Sequence, residues 1–121
     1  MSLIITPEML EGMYDYLNTT PPFNRWNLPD GEDVKFMVSR RTSEYGRYQW
    51  KGGKHTITGS KNAIGQTYTL ARFMAHEMIH LHLEATGLES RSGGLNTHNR
   101  AFRKLAAEVC KYHGFDLKAF Y

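Results

Sequence analysis

The chain has 121 residues, of which 40% are hydrophobic and 22% charged, and its formal net charge is +3. This is the size and composition of one folded domain. Short apolar runs exclude a membrane span, Met1–Leu10 lacks a secretory signal pattern, and Cys110 alone excludes intrachain disulfides and four-cysteine zinc sites. We therefore expect a single cytoplasmic domain over residues 1–121, without a C-terminal zinc ribbon.

The first part of the chain predicts a helix followed by a loop. Thr6 is suited to cap a helix that starts at Pro7 and continues to Leu17, with its apolar residues on one face. Residues 18–33 contain three prolines and a glycine, which is typical of a loop.

The middle of the chain predicts three short strands. Residues 35–39, 45–50 and 55–58 are rich in β-branched and aromatic side chains. The Gly52-Gly53 pair between the second and third strands suits a hairpin turn. We expect a small antiparallel three-stranded sheet.

Two helices are predicted in the last part of the chain. Residues 69–85 are apolar around most of the helix circumference, which indicates a buried helix that ends before Gly87. A Ser/Gly-rich connection over 88–96 leads to a helix over 98–113, with Asn96 or Thr97 as its cap and Gly114 as its end. The order of helix, sheet, buried helix and helix indicates an α+β domain.

The buried helix contains the motif His76-Glu77-Met78-Ile79-His80. Histidines four residues apart lie on one helix face, so both can bind one metal ion, and the glutamate between them can act as general base. Polar groups in an apolar helix are costly unless they bind something. The alternative is that both histidines bond to carboxylates or backbone carbonyls without a metal.

A catalytic zinc needs a third protein ligand. Leu83 and Thr86 occupy the positions where the elongated form of the motif has glycine and histidine. Glu108 falls on the polar side of the last helix, whereas His98 lies four residues before Phe102, above the apolar stripe that must face the core. The sequence therefore favours His98 as the third ligand.

The other titratable residues near these helices are expected to be structural. Glu84, four residues after His80, either orients that histidine or is an exposed helix carboxylate. The remaining residues with an expected structural role are His55, His82, His113 and the buried Cys110.

Residues 35–61 form a basic segment with seven basic residues and one acidic residue, Glu44. Basic and aromatic residues interleave there, a mixture suited to binding phosphates and stacking on bases. The alternative is that these charges lie on the solvent-facing side of a half-buried sheet. The candidate nucleic-acid-binding residues are Arg40, Arg41, Arg47, Lys51, Lys54, Tyr48 and Trp50, with Tyr45 beside them.

The zinc motif with its preceding Ala75, a short loop, and His98 four residues before Phe102 resembles the SprT-like metallopeptidase domain over about 35–114. That family includes Spartan-type proteases, which degrade proteins crosslinked to DNA. The resemblance implies a minimal zincin-like fold and one zinc per chain, bound by His76, His80 and His98, with Glu77 as general base. Asn99 stands where the family usually has glycine, and many members carry a C-terminal zinc ribbon or DNA-binding extension.

We therefore expect a zinc-dependent peptidase that hydrolyses protein substrates, with DNA-bound or DNA-crosslinked proteins among the candidates. One alternative is a zinc-stabilised DNA-binding module without peptidase activity. Another is a metal-free α+β interaction domain.

Overall fold

The computed structural model describes residues 3–89 and 98–120, which form a sheet and a set of helices. In that part of the chain, no helix combines the length and apolar content needed to cross a bilayer. The expected α+β class is confirmed. The helices are α1 (Pro7–Asn18), α2 (Thr67–Ala85), α3 (Arg100–His113) and α4 (Leu117–Phe120), and the strands are β1 (Lys35–Ser39), β2 (Gly46–Lys51) and β3 (Lys54–Ser60).

The sheet has the strand order β1-β3-β2. β2 and β3 form the predicted antiparallel hairpin, in which Gly52 and Gly53 both have positive φ. β1 pairs with β3 in parallel, so the expectation of a wholly antiparallel sheet is wrong and the sheet is mixed. A hairpin turn determines how two consecutive strands pair, but it does not determine which edge of the hairpin receives a third strand.

The chain between β1 and β2 crosses the end of β3, which explains the parallel pairing. The backbone N–H of Lys61 donates to the Ser39 carbonyl at 3.0 Å, and that of Ser60 donates to the Tyr45 carbonyl at 2.7 Å. These bonds hold both ends of the connection against the end of β3. As a result β3 is central and β2 is left as an edge strand.

Helix α2 lies at the centre of the molecule and packs against α1, α3, α4 and β2. It is buried on most of its circumference, as the sequence predicted. Two of its buried residues are polar, Glu77 and His80, with exposed fractions of 4% and 8%. The buried apolar residues of α2 are Leu70, Phe73, Met74, Ala75, Met78, Ile79, Leu81 and Leu83.

Helices α1 and α3 begin at side-chain caps. The Thr6 hydroxyl caps α1 as predicted, accepting a hydrogen bond from the Met9 N–H at 3.2 Å. Asn99 caps α3, its Oδ1 accepting from the Phe102 N–H at 2.9 Å, and the predicted caps at 96 and 97 lie outside the described residues. Helix α3 therefore starts two residues later than predicted, and His98 precedes it. The predicted apolar stripe of α3 is buried at Phe102, Ala106, Val109 and Cys110.

The segment after Gly114 forms α4, which the sequence did not predict. Gly114 ends α3 in the left-handed conformation, and the chain then returns to the N-terminal half of α2. Phe120 is 3% exposed, and its ring packs against those of Phe115 and His76 at 5.9 and 5.5 Å. Phe120 is therefore part of the core, whereas the other three residues of α4 are exposed.

Gly46 should be intolerant of any side chain. Its φ is +153°, and a Cβ atom there would lie 1.9 Å from the Thr58 carbonyl oxygen and 2.7 Å from the Phe73 ring. We expect Gly46→Ala to lower the free energy of unfolding by about 2–4 kcal/mol, measured by denaturant titration.

The matched control is Gly12→Ala. Gly12 lies in α1, and apart from its chain neighbours and the backbone of its own helix no atom lies within 4 Å of the position that an alanine methyl group would occupy there. Alanine should therefore raise the free energy of unfolding by about 0.5–1 kcal/mol. Similar small effects of the two substitutions would contradict the close approach at Gly46.

Candidate metal centre

Three histidines from two parts of the chain meet at the surface of α2. His76 and His80 are one helical turn apart, and His98 reaches them from the residue before the α3 cap. One ring nitrogen from each lies within 4.8 Å of the others, and the Nε2 atoms of His76 and His98 are 3.2 Å apart. The structure thus brings together the three residues that the sequence singled out as ligands.

Phe102 packs against all three imidazoles. Its ring centroid lies 4.3 Å from that of His98, 4.6 Å from that of His80 and 4.9 Å from that of His76. Phe102 has no exposed surface. It therefore fixes the three rings from the core side and leaves their nitrogen atoms directed at one another.

The ring orientation of His76 is set by the backbone of α4. Its Nδ1 lies 2.8 Å from the Phe120 carbonyl oxygen, and because a carbonyl can only accept, this nitrogen carries the proton and Nε2 keeps its lone pair. Burial, reinforced by neighbouring His80, lowers the pKa of His76 to about 3. Burial also lowers the pKa of His98. Both histidines are therefore neutral near pH 7, which is the form that binds metals.

The ring orientation of His80 is set by Glu89. The Nδ1–H of His80 donates to Glu89 Oε2 at 2.8 Å, so Nε2 is the ring nitrogen of His80 that remains to bind a metal. The other carboxylate oxygen of Glu89 is buried and has no hydrogen-bond partner within residues 3–89 and 98–120. Glu84, which the sequence offered for this role, instead acts on His55: burial lowers the pKa of His55, and the charge of Glu84 opposes that shift.

Glu89 reaches His80 through a reversal of the chain after α2. Gly87 has a φ of +77°, and the backbone N–H groups of Leu88 and Glu89 both donate to the Leu83 carbonyl, at 2.8 and 3.1 Å. A helix-ending glycine predicts such a reversal. This glycine is the signal that would have identified Glu89 as a partner of the motif.

Glu77 lies beside the cluster and is almost fully buried. Burial raises the pKa of its carboxyl group to about 7, against the opposing effects of nearby His80 and of a hydrogen bond from the Tyr48 backbone N–H. The side chain is therefore held next to the histidines by the edge strand of the sheet.

The three histidines fit a tetrahedral metal ion. Zinc–nitrogen bonds of 2.0–2.1 Å in a tetrahedron place two ligand nitrogens about 3.3 Å apart. The Nε2 atoms of His76 and His98 are separated by 3.2 Å. His76 and His80 both have the Nδ1–H bonded to an acceptor, the usual arrangement of metal-binding histidines. The cluster can therefore hold a metal ion.

A sequence profile of the SprT-like family matches residues 10–119. The chain belongs to the SprT-like family. The match extends on both sides of the 35–114 stretch that carries the resemblance, and takes in most of α1 and α4. No curated protein matches the chain significantly. The family is regarded as one of zinc metallopeptidases, and the zincin-like α+β fold agrees with that assignment.

The SprT-like glycine after the third histidine is replaced by Asn99 without backbone strain. Asn99 has a φ of −71°, so the position requires no left-handed conformation. Its side chain caps α3 through Oδ1 and donates from Nδ2 to the Leu88 carbonyl at 3.0 Å. Asn99 thus fixes the start of α3, and with it His98, to the end of α2.

The remaining histidines of this SprT-like domain have partners outside the cluster. His55 is 2.6 Å from the Tyr48 hydroxyl, and His82 stacks on Trp26 with ring centroids 4.6 Å apart. His113 Nε2 lies 2.9 Å from the Pro21 carbonyl oxygen. These contacts agree with the structural roles that the sequence predicted.

In the structure, some residues of the basic segment are paired or half-buried and others are exposed. Arg47 and Arg41 approach Glu44 Oε1 at 2.6 and 3.6 Å. Tyr48 is half-buried, and its hydroxyl contacts His55. The candidates with exposed side chains outside these pairs are Arg40, Lys51, Lys54 and Trp50.

Removing the charge of Glu89 should weaken metal binding. Its carboxylate orients His80 and makes that imidazole a better ligand, so we expect Glu89→Gln to lower the affinity for Zn²⁺ about 10- to 100-fold. The affinity is measured by competition with a chromophoric chelator.

Glu84→Gln serves as the control, because it removes the same charge from the same cleft, whereas the hydrogen bond to His80 comes from Glu89. Its zinc affinity should match the wild type. Equal losses in the two variants would show that cleft charge, rather than orientation of His80, determines the affinity.

Proposed function

We propose that this protein is a zinc-dependent peptidase that hydrolyses protein substrates at the three-histidine cluster. The observation that carries the proposal is the buried Glu77 carboxyl beside three convergent imidazoles, at the base of a cleft of about 450 Å³. A structural zinc site is closed by four protein ligands, whereas hydrolytic sites have three and a neighbouring base. Among the described residues, the cluster groups three ligand side chains, which favours hydrolysis over a purely stabilising zinc.

Each residue of the site has a distinct role in this proposal. His76, His80 and His98 hold the zinc, which when bound polarises a substrate carbonyl and makes water more acidic. Glu77 takes a proton from the attacking water and delivers it to the departing amine. The hydrogen bond from the Tyr48 backbone N–H keeps the Glu77 carboxylate in place while it exchanges this proton.

The edge strand β2 offers a binding surface for an extended substrate. β2 pairs with β3 on one side only, and Gly46, Tyr48 and Trp50 all line the cleft. The Tyr48 N–H points away from β3, towards Glu77, and in an antiparallel strand the residue two positions along presents its backbone on the same side. A peptide bound along β2 would therefore pass directly over Glu77.

Replacing Glu77 should separate metal binding from catalysis. Glu77→Gln keeps the size of the side chain but cannot accept a proton, so we expect peptide cleavage to fall at least about 10³-fold, while the variant still holds about one zinc per chain. Cleavage is followed with a fluorogenic peptide mixture, and zinc by elemental analysis.

His98→Ala is the complementary variant, and we expect it to lose zinc as well as activity. His82→Ala is the control, because His82 lies on the same helix but stacks on Trp26, so its zinc content should match the wild type. Undiminished turnover in Glu77→Gln would contradict the mechanism. A wild-type protein that takes up no zinc would leave the metal-free interaction domain as the better explanation.

DNA-bound proteins are a narrower class of substrate that we propose on a separate observation. Trp50 is 53% exposed on the rim of the cleft, and Lys51 and Lys54 are exposed at the hairpin turn beside it. An exposed aromatic ring flanked by lysines suits single-stranded nucleic acid. Bound DNA at this position would lie next to the substrate cleft.

Neutralising the two turn lysines tests this surface. We expect Lys51→Gln with Lys54→Gln to weaken binding of a single-stranded oligonucleotide and to reduce the salt dependence by about 0.7 per lysine in the log–log slope. Lys104→Gln with Lys111→Gln, two exposed positions on α3, is the control with equal charge loss. The same affinity and slope in both double variants would rule out the hairpin as the DNA contact.

A further inference from the structure

A second, smaller cavity adjoins the metal centre. Its volume is about 150 Å³, and it shares His76, Glu77 and His98 with the main cleft. Its other walls include the rings of Phe73 and Phe120. The cavity is large enough for one side chain. A side chain bound there would contact the residues that we propose to carry out the reaction.

The two cavities lie on opposite sides of the metal centre along α2. Arg72, which lines the small cavity, is one turn before His76, whereas Glu84 in the main cleft is twelve residues beyond Arg72. At 1.5 Å per residue this separation is about 18 Å. A substrate that crosses the metal centre along α2 therefore meets Arg72 on one side and Glu84 on the other.

Arg72 brings a positive charge to the small cavity. Its guanidinium carbon lies 5.3 Å from the Tyr45 ring centroid and 5.7 Å from that of Tyr68, and its Nη1 donates to the Ala119 carbonyl at 3.3 Å. Within the described residues, no carboxylate oxygen lies within 4.0 Å of it. A guanidinium has five N–H donors, so the bond to Ala119 leaves others for a ligand.

We propose that Arg72 makes this cavity a specificity pocket that binds a carboxylate of the substrate. The proposal rests on the peptidase function above and names its substrate class: peptides with an acidic side chain, or a C-terminal carboxylate, on the Arg72 side of the cleaved bond. The phenylalanine walls accommodate the methylene groups of such a side chain. On the other side of the metal centre the main cleft carries Glu84 and Glu89, which repel a carboxylate, so the preference has a direction along the substrate.

Arg72 also contacts α4, and loss of that contact alone could reduce activity. The measurement must therefore be a preference between two ligands and not an overall rate. Peptide binding is measured on the zinc-loaded Glu77→Gln variant, because a binding measurement does not require cleavage. The probe is a positional-scanning set of fluorescent octapeptides with Glu, Gln or Lys at each position, each made as the free acid and as the C-terminal amide.

We expect one position at which the Glu peptide binds at least about tenfold more tightly than the Gln peptide. Adding Arg72→Gln should reduce this ratio to about one, Arg72→Lys should retain part of it, and Arg72→Glu should favour the Lys peptide. Arg25→Gln is the control, because Arg25 also stacks on a tyrosine, Tyr112, but lies outside the residues that line the cavity. A free-acid preference in place of the Glu preference would identify the C-terminal carboxylate as the ligand.

The pocket proposal would be contradicted if the Glu and Gln peptides bound equally at every position and the free acids and amides also bound equally. A preference that survives Arg72→Gln would also contradict it. The two proposals can be contradicted separately. If the wild-type protein cleaves peptides without any carboxylate preference, the peptidase proposal stands and the pocket proposal is wrong. If the protein binds carboxylates through Arg72 but never cleaves a peptide, the pocket proposal stands and the peptidase proposal is wrong.

Discussion

Desolvation of the polar side chains on α2 is the constraint on which the rest of the structure depends. His76, Glu77 and His80 sit on a helix that is otherwise buried in apolar surroundings, and unpaired polar groups there cost several kcal/mol each. Each is stabilised by a group from outside the helix: the Phe120 carbonyl, the Tyr48 N–H and the Glu89 carboxylate. Helix α4, the edge strand and the turn after α2 are therefore all held against one helix.

The same arrangement divides the cleft by charge. The three imidazoles and Glu77 occupy the centre, Glu84 and Glu89 lie towards the C-terminal end of α2, and Arg72 lies towards its N-terminal end. Because the charged groups follow the helix axis, a peptide bound along β2 as we propose would experience opposite fields on the two sides of the metal centre. The charges on and near α2 would then favour one direction of the bound peptide over the other.

Local patterns in the sequence predicted most of the fold and the centre of the site. Helical spacing placed His76 and His80 together, and the apolar stripe of α3 directed His98 towards them, because both signals depend only on residues close in sequence. The partners Glu89 and Phe120 were missed, since they reach the site through chain reversals at Gly87 and Gly114. The parallel pairing of β1 was missed for a related reason, because it depends on how a loop crosses another strand.

The group that orients His76 is a backbone carbonyl, and this affects how the site can be studied. A scan that substitutes side chains one at a time removes the Phe120 ring but not the Phe120 oxygen, so it tests packing and leaves the hydrogen bond intact. An ester linkage in place of the following amide, which weakens the carbonyl as an acceptor, would test the bond by itself. In such comparisons, tolerance of substitution at position 120 would say little about the contribution of this residue to the site.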